Sequence, residues 1–282
     1  MKQKRIVTIQ DLSCFGKCSL TVALPVISAL GIETVVLPTA VLSTHTGGFE
    51  GYTFHSLEKQ FESIAEHWEA LGLTFDAIHV GYIGSCELID RVEAFINRFK
   101  KEDTVLFIDP AMADNGKFYS GLDKDYANRL STLCKRADFI SPNITEALIM
   151  TNAEDITAFD PNHIKNVLLK LAGISKNPIV TGIHNKSRIE TAGYDEKNKD
   201  FIISDFEKQE GVFFGSGDLF SAAFIALYIQ NKDMKKAVES AAAFVSDCIK
   251  NTLDETEKYW YGLKFEQSIP YLIELAKKQP KE

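Results

Sequence analysis

Residues 211–224 read GVFFGSGDLFSAAF. Two glycines bracket Ser216, Asp218 follows, and Ala222, Ala223, Phe224, Ile225, Ala226 and Leu227 continue without a charge. Such a run predicts a helix buried on all sides and starting near Asp218. A glycine-rich turn feeding a helix N-terminus presents unpaired backbone N–H groups at the positive end of the dipole, which makes an anion site. Gly215 and Gly217 let a phosphate approach the backbone closely. A carboxylate beside that anion is unfavourable unless it has a task, and one such task is to accept a proton from a hydroxyl that attacks phosphorus. The plainer alternative, an aspartate that only caps a helix, leaves the buried helix behind it unexplained.

The rest of the chain agrees with a soluble α/β enzyme. Its 282 residues are 45% hydrophobic and carry a net charge of −8. An acidic chain with no long basic run argues against nucleic-acid or acidic-membrane partners. No stretch approaches the roughly 18 apolar residues of a membrane span. Five scattered cysteines without a C-x-x-C, and an N-terminal apolar run too short for a signal segment, point to reduced thiols in the cytoplasm.

Short apolar runs at Ile6–Ile9, Thr34–Leu37, Ala77–Val80, Val105–Ile108, Phe139–Ser141 and Ile179–Thr181 predict buried strands. Helical patterns lie between most of them, as at Leu57, Phe61, Ile64, Trp68 and Leu71. This alternation predicts one domain over 1–282, a mostly parallel sheet between helices. Ligands of such sheets bind at the strands' carboxyl ends. The residues expected there are Asp11, Tyr82, Asp109, Asn143 and Thr181. Residues 189–205 read as a hairpin around a charged turn and are placed as a small β-flap over the sheet edge, covering the site.

The segment GVFFGSGDLFSAAFIAL resembles the signature of the ribokinase-like superfamily, closest to its pyridoxal kinases. STHTGG (43–48), GYIGS (81–85), DPAMADNGKFY (109–119) and ADFISPNITEA (137–147) are similar to further family segments in the family's order. The resemblance implies a ribokinase-like fold and ATP-dependent phosphorylation of the 5′-hydroxymethyl group of pyridoxal, pyridoxine or pyridoxamine. It implies Asp218 as the catalytic base, with Gly215, Ser216 and Gly217 forming the anion hole. Asp11, His45, Thr46, Gly47 and Tyr82 would contact the acceptor, and Asp109, Asn143 and Thr181 the nucleotide. Asp114 and Glu146 would hold Mg²⁺ directly or through water, and a monovalent cation such as K⁺ and a homodimer are family expectations. The helix N-terminus is expected to lower the Asp218 pKa.

Ser216 stands where the family has threonine, Ala113 where glycine is usual and Asp11 where serine is common. Asp11 also resembles the related hydroxymethylpyrimidine kinases, which are the alternative reading. A sugar kinase would want more polar groups near the acceptor, and a non-catalytic vitamer-binding regulator has no need of Asp218. DLSCFGKCS (11–19) is not a P-loop, because Cys18 replaces the required hydroxyl residue. Cys14 and Cys18 alone do not make a zinc site.

Overall fold

The computed structural model describes residues 3–153, 160–185, 187–253, 255 and 257–278. The chain runs β1 Arg5–Phe15, α1 Leu20–Ala29, β2 Glu33–Thr44, β3 Phe54–Ser56, α2 Glu58–Ala70, β4 Ala77–Val80, α3 Cys86–Phe99 and β5 Val105–Ile108. A small ribbon, β6 Ala113–Asp114 and β7 Lys117–Phe118, precedes α4 Lys124–Cys134, β8 Phe139–Ile140, α5 Ile144–Thr151 and α6 Pro161–Ala172. The remainder is β9 Asn177–Asn185, β10 Arg188–Asp195, β11 Asp200–Glu207, α7 Ser216–Asn231, α8 Met234–Leu253, a 3₁₀ turn Phe265–Ser268 and α9 Ile269–Lys277.

Nine strands form one sheet in the order β11-β10-β9-β8-β5-β4-β1-β2-β3. The six central strands are parallel, while β3, β10 and β11 run antiparallel to their inner neighbours at the two edges. Apolar side chains alternate between two cores. Val7, Ile9, Ile78 and Val80 pack under α2 to α6, while Ile6, Ala77 and Phe107 pack under α1, α7, α8 and α9. Trp68 joins an aromatic cluster with Phe75 and Phe95, so it is core, as its place in the helical stripe predicts. Helix α7 is buried on every side from Leu219 to Leu227, which a helix between sheet and outer helices must be.

Two elements differ from the sequence reading. β1 does not stop at Ile9 but runs on to Phe15, with an irregularity opposite β2 between Gln10 and Leu12. Asp11 therefore lies within a strand rather than after it. The second difference is the flap. Residues 188–207 do form a hairpin, but β10 pairs with β9 and extends the main sheet, and most of β10 is buried. Its turn hydrogen-bonds to the start of β9, where the Glu196 N–H donates to Asn177 Oδ1 at 3.1 Å. This is the end of the sheet opposite the carboxyl ends of the parallel strands. There Phe139, Asn177, Lys197, Tyr228 and Lys232 line a cavity of about 320 Å³. The hairpin followed the helix-free pattern correctly; its apolar face went to the sheet because an open β9 edge had to be paired.

Replacing residues 196–199 by a short Gly/Ser turn is therefore expected to leave turnover at the other end of the sheet within about twofold of wild type. A rise in ATP hydrolysis without acceptor phosphorylation in that variant would restore the covering role.

Candidate active site

The polar ends of β1, β4, β5, β8 and β9 meet the N-terminus of α7, and Asp218 is where they converge. Gly215, at φ 80°, turns the chain into α7. A Cβ there would run into the Lys17 carbonyl oxygen, so only glycine lets this turn lie against the 16–19 segment. Gly217 has no such constraint, since a Cβ would meet nothing within 4 Å. It borders open space, and its importance lies in that opening rather than in its dihedral. The Ser216 N–H closes the turn on Phe213 O at 3.3 Å, so the N–H groups of Gly217 and Asp218 are the ones that point ahead of the helix.

Burial, together with the nearby Asp11 charge, pushes the Asp218 carboxyl up to about 7, against a lowering hydrogen bond from the Ser19 N–H. The helix N-terminus does not win, contrary to the sequence expectation, because the carboxylate is taken out of water in the company of other carboxylates. Asp11 is only 5% exposed. Burial raises it too, opposed by the hydroxyls of Ser19 and Ser13, the latter donating at 2.8 Å. Tyr82 is pushed up to about 12 by burial and by Asp11, so it stays a neutral phenol. Burial and the two carboxylates keep the Cys18 thiol protonated.

On the other side of Asp218 lie Asp109 and Glu146. Burial and the Glu146 charge push Asp109 well above the usual carboxylate range, partly offset by a hydrogen bond from Ser221. Burial pushes Glu146 up to about 8, against three backbone donors. Its Oε1 accepts from the N–H of Met112 at 2.9 Å and of Ala113 at 3.3 Å, and its Oε2 from Asn143 at 2.9 Å. The three donors favour the charged form of Glu146 and oppose its desolvation. Behind them, His79 is fully buried, with Nδ1 3.2 Å from Thr8 Oγ1 and Nε2 3.2 Å from Ser221 Oγ. Burial pushes it down to about 3, and it is structural, as its place in a strand suggests.

Several predicted residues are occupied differently from the sequence reading. Asn143 and Glu146 form a reciprocal cap on α5, and Asn143 Nδ2 also donates to Ala113 O at 2.7 Å. These bonds tie the 109–114 loop to α5. The N-x-x-E spacing is itself the sequence signature of such a cap. His45 donates from Nε2 to Tyr261 O at 2.8 Å, and its Nδ1 accepts from the Gly47 N–H at 3.1 Å. Both ring nitrogens are used, so His45 pins its loop. Thr46 is exposed and Asp114 is exposed, the latter accepting from the Asn115 N–H and side chain. Thr181 bridges to Asn143 across the strand ends, with Gly182 beside it at φ 68°. The buried Ser141 hydroxyl near them has no protein partner.

An aromatic wall escaped the sequence reading. Phe49 packs 4.5 Å from Trp260 and 4.9 Å from His45, Phe15 packs 4.7 Å from Tyr261, and Phe214 packs 5.4 Å from His45. These rings come from four separate segments, so no local motif announces them. They stand on the Asp11 side of the site, Phe15 sharing β1 with Asp11.

Among the described residues no three His, Cys, Asp or Glu side chains close into a metal cage. Magnesium bound with a nucleotide does not need one, because it takes one or two carboxylates and completes its shell with phosphate oxygens and water. The crowded Asp109–Glu146 pair, held above the ordinary carboxylate range, fits that donor set.

A nine-stranded ribokinase-like sheet with a carboxylate at the mouth of an anion-binding turn defines a small-molecule kinase architecture. Residues 19–261 match the phosphomethylpyrimidine kinase family, and the chain belongs to that family. It is 26% identical to a pyridoxal kinase of Histophilus somni, across 88% of this chain and 89% of that one. It is 24% identical to the hydroxymethylpyrimidine/phosphomethylpyrimidine kinase of Bacillus subtilis, across 89% and 84%. A provisionally named phosphomethylpyrimidine kinase of Bacteroides thetaiotaomicron, crystallised with pyridoxal, has the same fold at a TM-score of 0.91 and 28% identity, covering 96% of each chain. Pyridoxal kinase from Lactobacillus plantarum matches at 0.89 and 25% identity, covering 98% and 99%.

Glu146→Gln is expected to lower stability by about 1–3 kcal/mol, because an amide cannot serve three N–H donors and sets its own donors against them. Urea unfolding of wild type and variant without nucleotide measures this; equal midpoints would show that the cap does not hold the loop.

Proposed function

We propose that this chain transfers the γ-phosphoryl group of ATP to the 5′-hydroxymethyl group of a B6 vitamer, giving the 5′-phosphate for vitamin B6 salvage. The observation that carries the reading is the position of Asp218. Its carboxylate stands at the anion-binding turn, between Asp11 and Tyr82 on the acceptor side and Asp109 and Glu146 on the nucleotide side. The pyridoxal in the Bacteroides structure and the name of the Histophilus relative support the choice of acceptor.

In this reading the aromatic wall receives a flat heteroaromatic ring, and Asp11 and Tyr82 orient its polar substituents. Asp218 accepts the proton of the primary hydroxyl as its oxygen attacks phosphorus. A carboxylate near 7 is half ionised at neutral pH, which suits a base better than one near 4. The Gly217 and Asp218 N–H groups receive the developing phosphoryl charge. Asp109, Glu146 and Asp114 would hold Mg²⁺, which supplies charge neutralisation across the phosphates. The orphaned Ser141 hydroxyl and Thr181 are placed at the nucleotide. A monovalent cation, a homodimer and a cytoplasmic setting complete the reading, the last in keeping with five unpaired cysteines.

Hydroxymethylpyrimidine is the competing acceptor, favoured by the family match and by the Bacillus relative. It too presents a hydroxymethyl group on a heteroaromatic ring. Product formation from ATP with pyridoxal, pyridoxine, pyridoxamine and hydroxymethylpyrimidine, each offered alone, separates the two. Turnover of hydroxymethylpyrimidine alone would overturn the vitamer assignment.

Asp218→Asn is expected to lower kcat by about 10²–10⁴-fold while leaving acceptor binding largely intact. For the wild type, kcat/KM for the acceptor is expected to rise as pH rises toward about 7 and then level, because the base works ionised. A profile flat from pH 5 to 8, or an Asn variant with near-normal kcat, would remove Asp218 from the base role.

A further inference from the structure

Loop 43–48 and the turn 215–218 lie far apart in the chain and meet at one side chain, Phe214, the residue directly before Gly215. A Cβ on Gly47 would stand 2.5 Å from Phe214 Cε1 and 2.6 Å from Cδ1, closer than two unbonded carbon atoms pack. Gly47 is not at positive φ, so its backbone conformation does not call for glycine; the ring does. The ring has little room to yield. His45 packs 5.4 Å from it, and that imidazole donates to Tyr261 O at 2.8 Å and accepts from the Gly47 N–H at 3.1 Å. A Cβ on Gly48 would meet Phe214 Cε2 at 3.6 Å and Trp260 Cζ3 at 3.0 Å, so the next residue of the loop is closed in as well. One residue beyond the ring, Gly215 lies against the Lys17 carbonyl, and the Ser216 N–H closes the turn on Phe213 O.

From this contact we infer that Phe214 is a positioning residue whose ring sets the spacing between loop 43–48, on the acceptor side, and the turn 215–218, on the phosphoryl side. The inference rests on the acceptor and phosphoryl placements of the proposed function. Phosphoryl transfer needs the attacking oxygen within about 3–3.5 Å of phosphorus, and a misplacement of about 1 Å costs on the order of 10²-fold in rate. The ring touches one of the two segments through Gly47 and joins the other through its own peptide bond to Gly215. A methyl group added at Gly47 therefore has to push the loop away from the turn or tilt the turn itself. Either movement changes the distance across which the phosphoryl group passes, while leaving the sheet and α7 as they are.

The test is a double-mutant cycle with Gly47→Ala and Phe214→Val. Valine ends one atom beyond Cβ, so neither ring atom that the alanine methyl would strike remains. Gly47→Ala alone is expected to lower kcat at saturating ATP and pyridoxal about 10- to 100-fold and to raise the ratio of ADP formed to pyridoxal phosphorylated. Phe214→Val alone is expected to lower kcat about five- to tenfold, because the spacing is no longer fixed. In the Phe214→Val background, Gly47→Ala is expected to cost less than about a further twofold. The ATP KM is expected to stay within about threefold throughout, since the turn keeps its own backbone. Urea midpoints of all four proteins are measured beside the kinetics.

An equal cost of Gly47→Ala in both backgrounds would overturn the inference, because the glycine would then serve the acceptor directly and not the ring. Wild-type kcat in Phe214→Val would overturn it too, as would a change confined to the urea midpoints. Should the wild type phosphorylate hydroxymethylpyrimidine and not pyridoxal, the same cycle is read with that acceptor. Coupling there would overturn the vitamer assignment alone and leave the Phe214 spacing standing. Turnover of neither acceptor would overturn both.

Discussion

The site depends on one half-buried carboxylate at the start of a buried helix. Asp218 stands at the start of a helix buried on every side, with Asp11 near it and only a backbone N–H of Ser19 directly opposing its desolvation. A helix with a polar face could tilt toward solvent and relieve that carboxylate. α7 has none between Leu219 and Leu227, because it lies between the sheet and α1 and α8. The packing that makes the helix obligatory also fixes its N-terminus, and in the proposed reading this joins the hydrophobic core to proton transfer. The positive φ at Gly215 and its contact with the 16–19 segment close the same arrangement from the other side.

Around that point the cleft divides by charge. On the side that the proposed function gives to the acceptor, Asp11, Tyr82 and the aromatic rings suit a flat, polar-edged ring. On the side it gives to the nucleotide, Asp109 and Glu146 form an acidic pair whose proton affinity is raised by burial. Carboxylates so placed repel a bare triphosphate and accept one that brings a divalent cation. The three N–H donors to Glu146 let the pair remain buried without collapsing the 109–114 loop. In the proposed reading the same side chain would also hold Mg²⁺, so a substitution there is expected to change stability as well as chemistry.

Much of this was legible in the sequence for physical reasons. Strands buried on both faces must be apolar throughout, so β4 and β5 appear at Ala77–Val80 and Val105–Ile108 within the bounds that composition alone gives them. The GSGD turn announces α7 because glycine and an all-apolar helix have few other reasons to adjoin. Other features were hidden. α1 carries Pro25 inside it, which breaks the helical pattern. Asn143 and Glu146 present residue types shared by caps and ligand sites; their N-x-x-E spacing carried the cap signature, but the likeness to a ligand segment was read first. The hairpin 188–207 was visible, and so was a strand at Ile179–Thr181, but their antiparallel pairing, with Arg188 opposite Asn185, went unread because the charged turn drew attention to the other end of the hairpin. The aromatic wall depends on contacts such as Phe15–Tyr261 and Phe49–Trp260, far apart in the chain, which no local pattern encodes.

The central claim is that burial holds the Asp218 carboxyl near neutrality. Carbon-13 NMR of aspartate-labelled protein, titrated from pH 4 to 9 in wild type and in Asp218→Asn, measures it directly. The account predicts a carboxyl resonance with a midpoint near 7 that is missing from the variant. It would be contradicted by a wild-type spectrum in which the resonance lost on substitution titrates near 4, the ordinary value of an exposed aspartate.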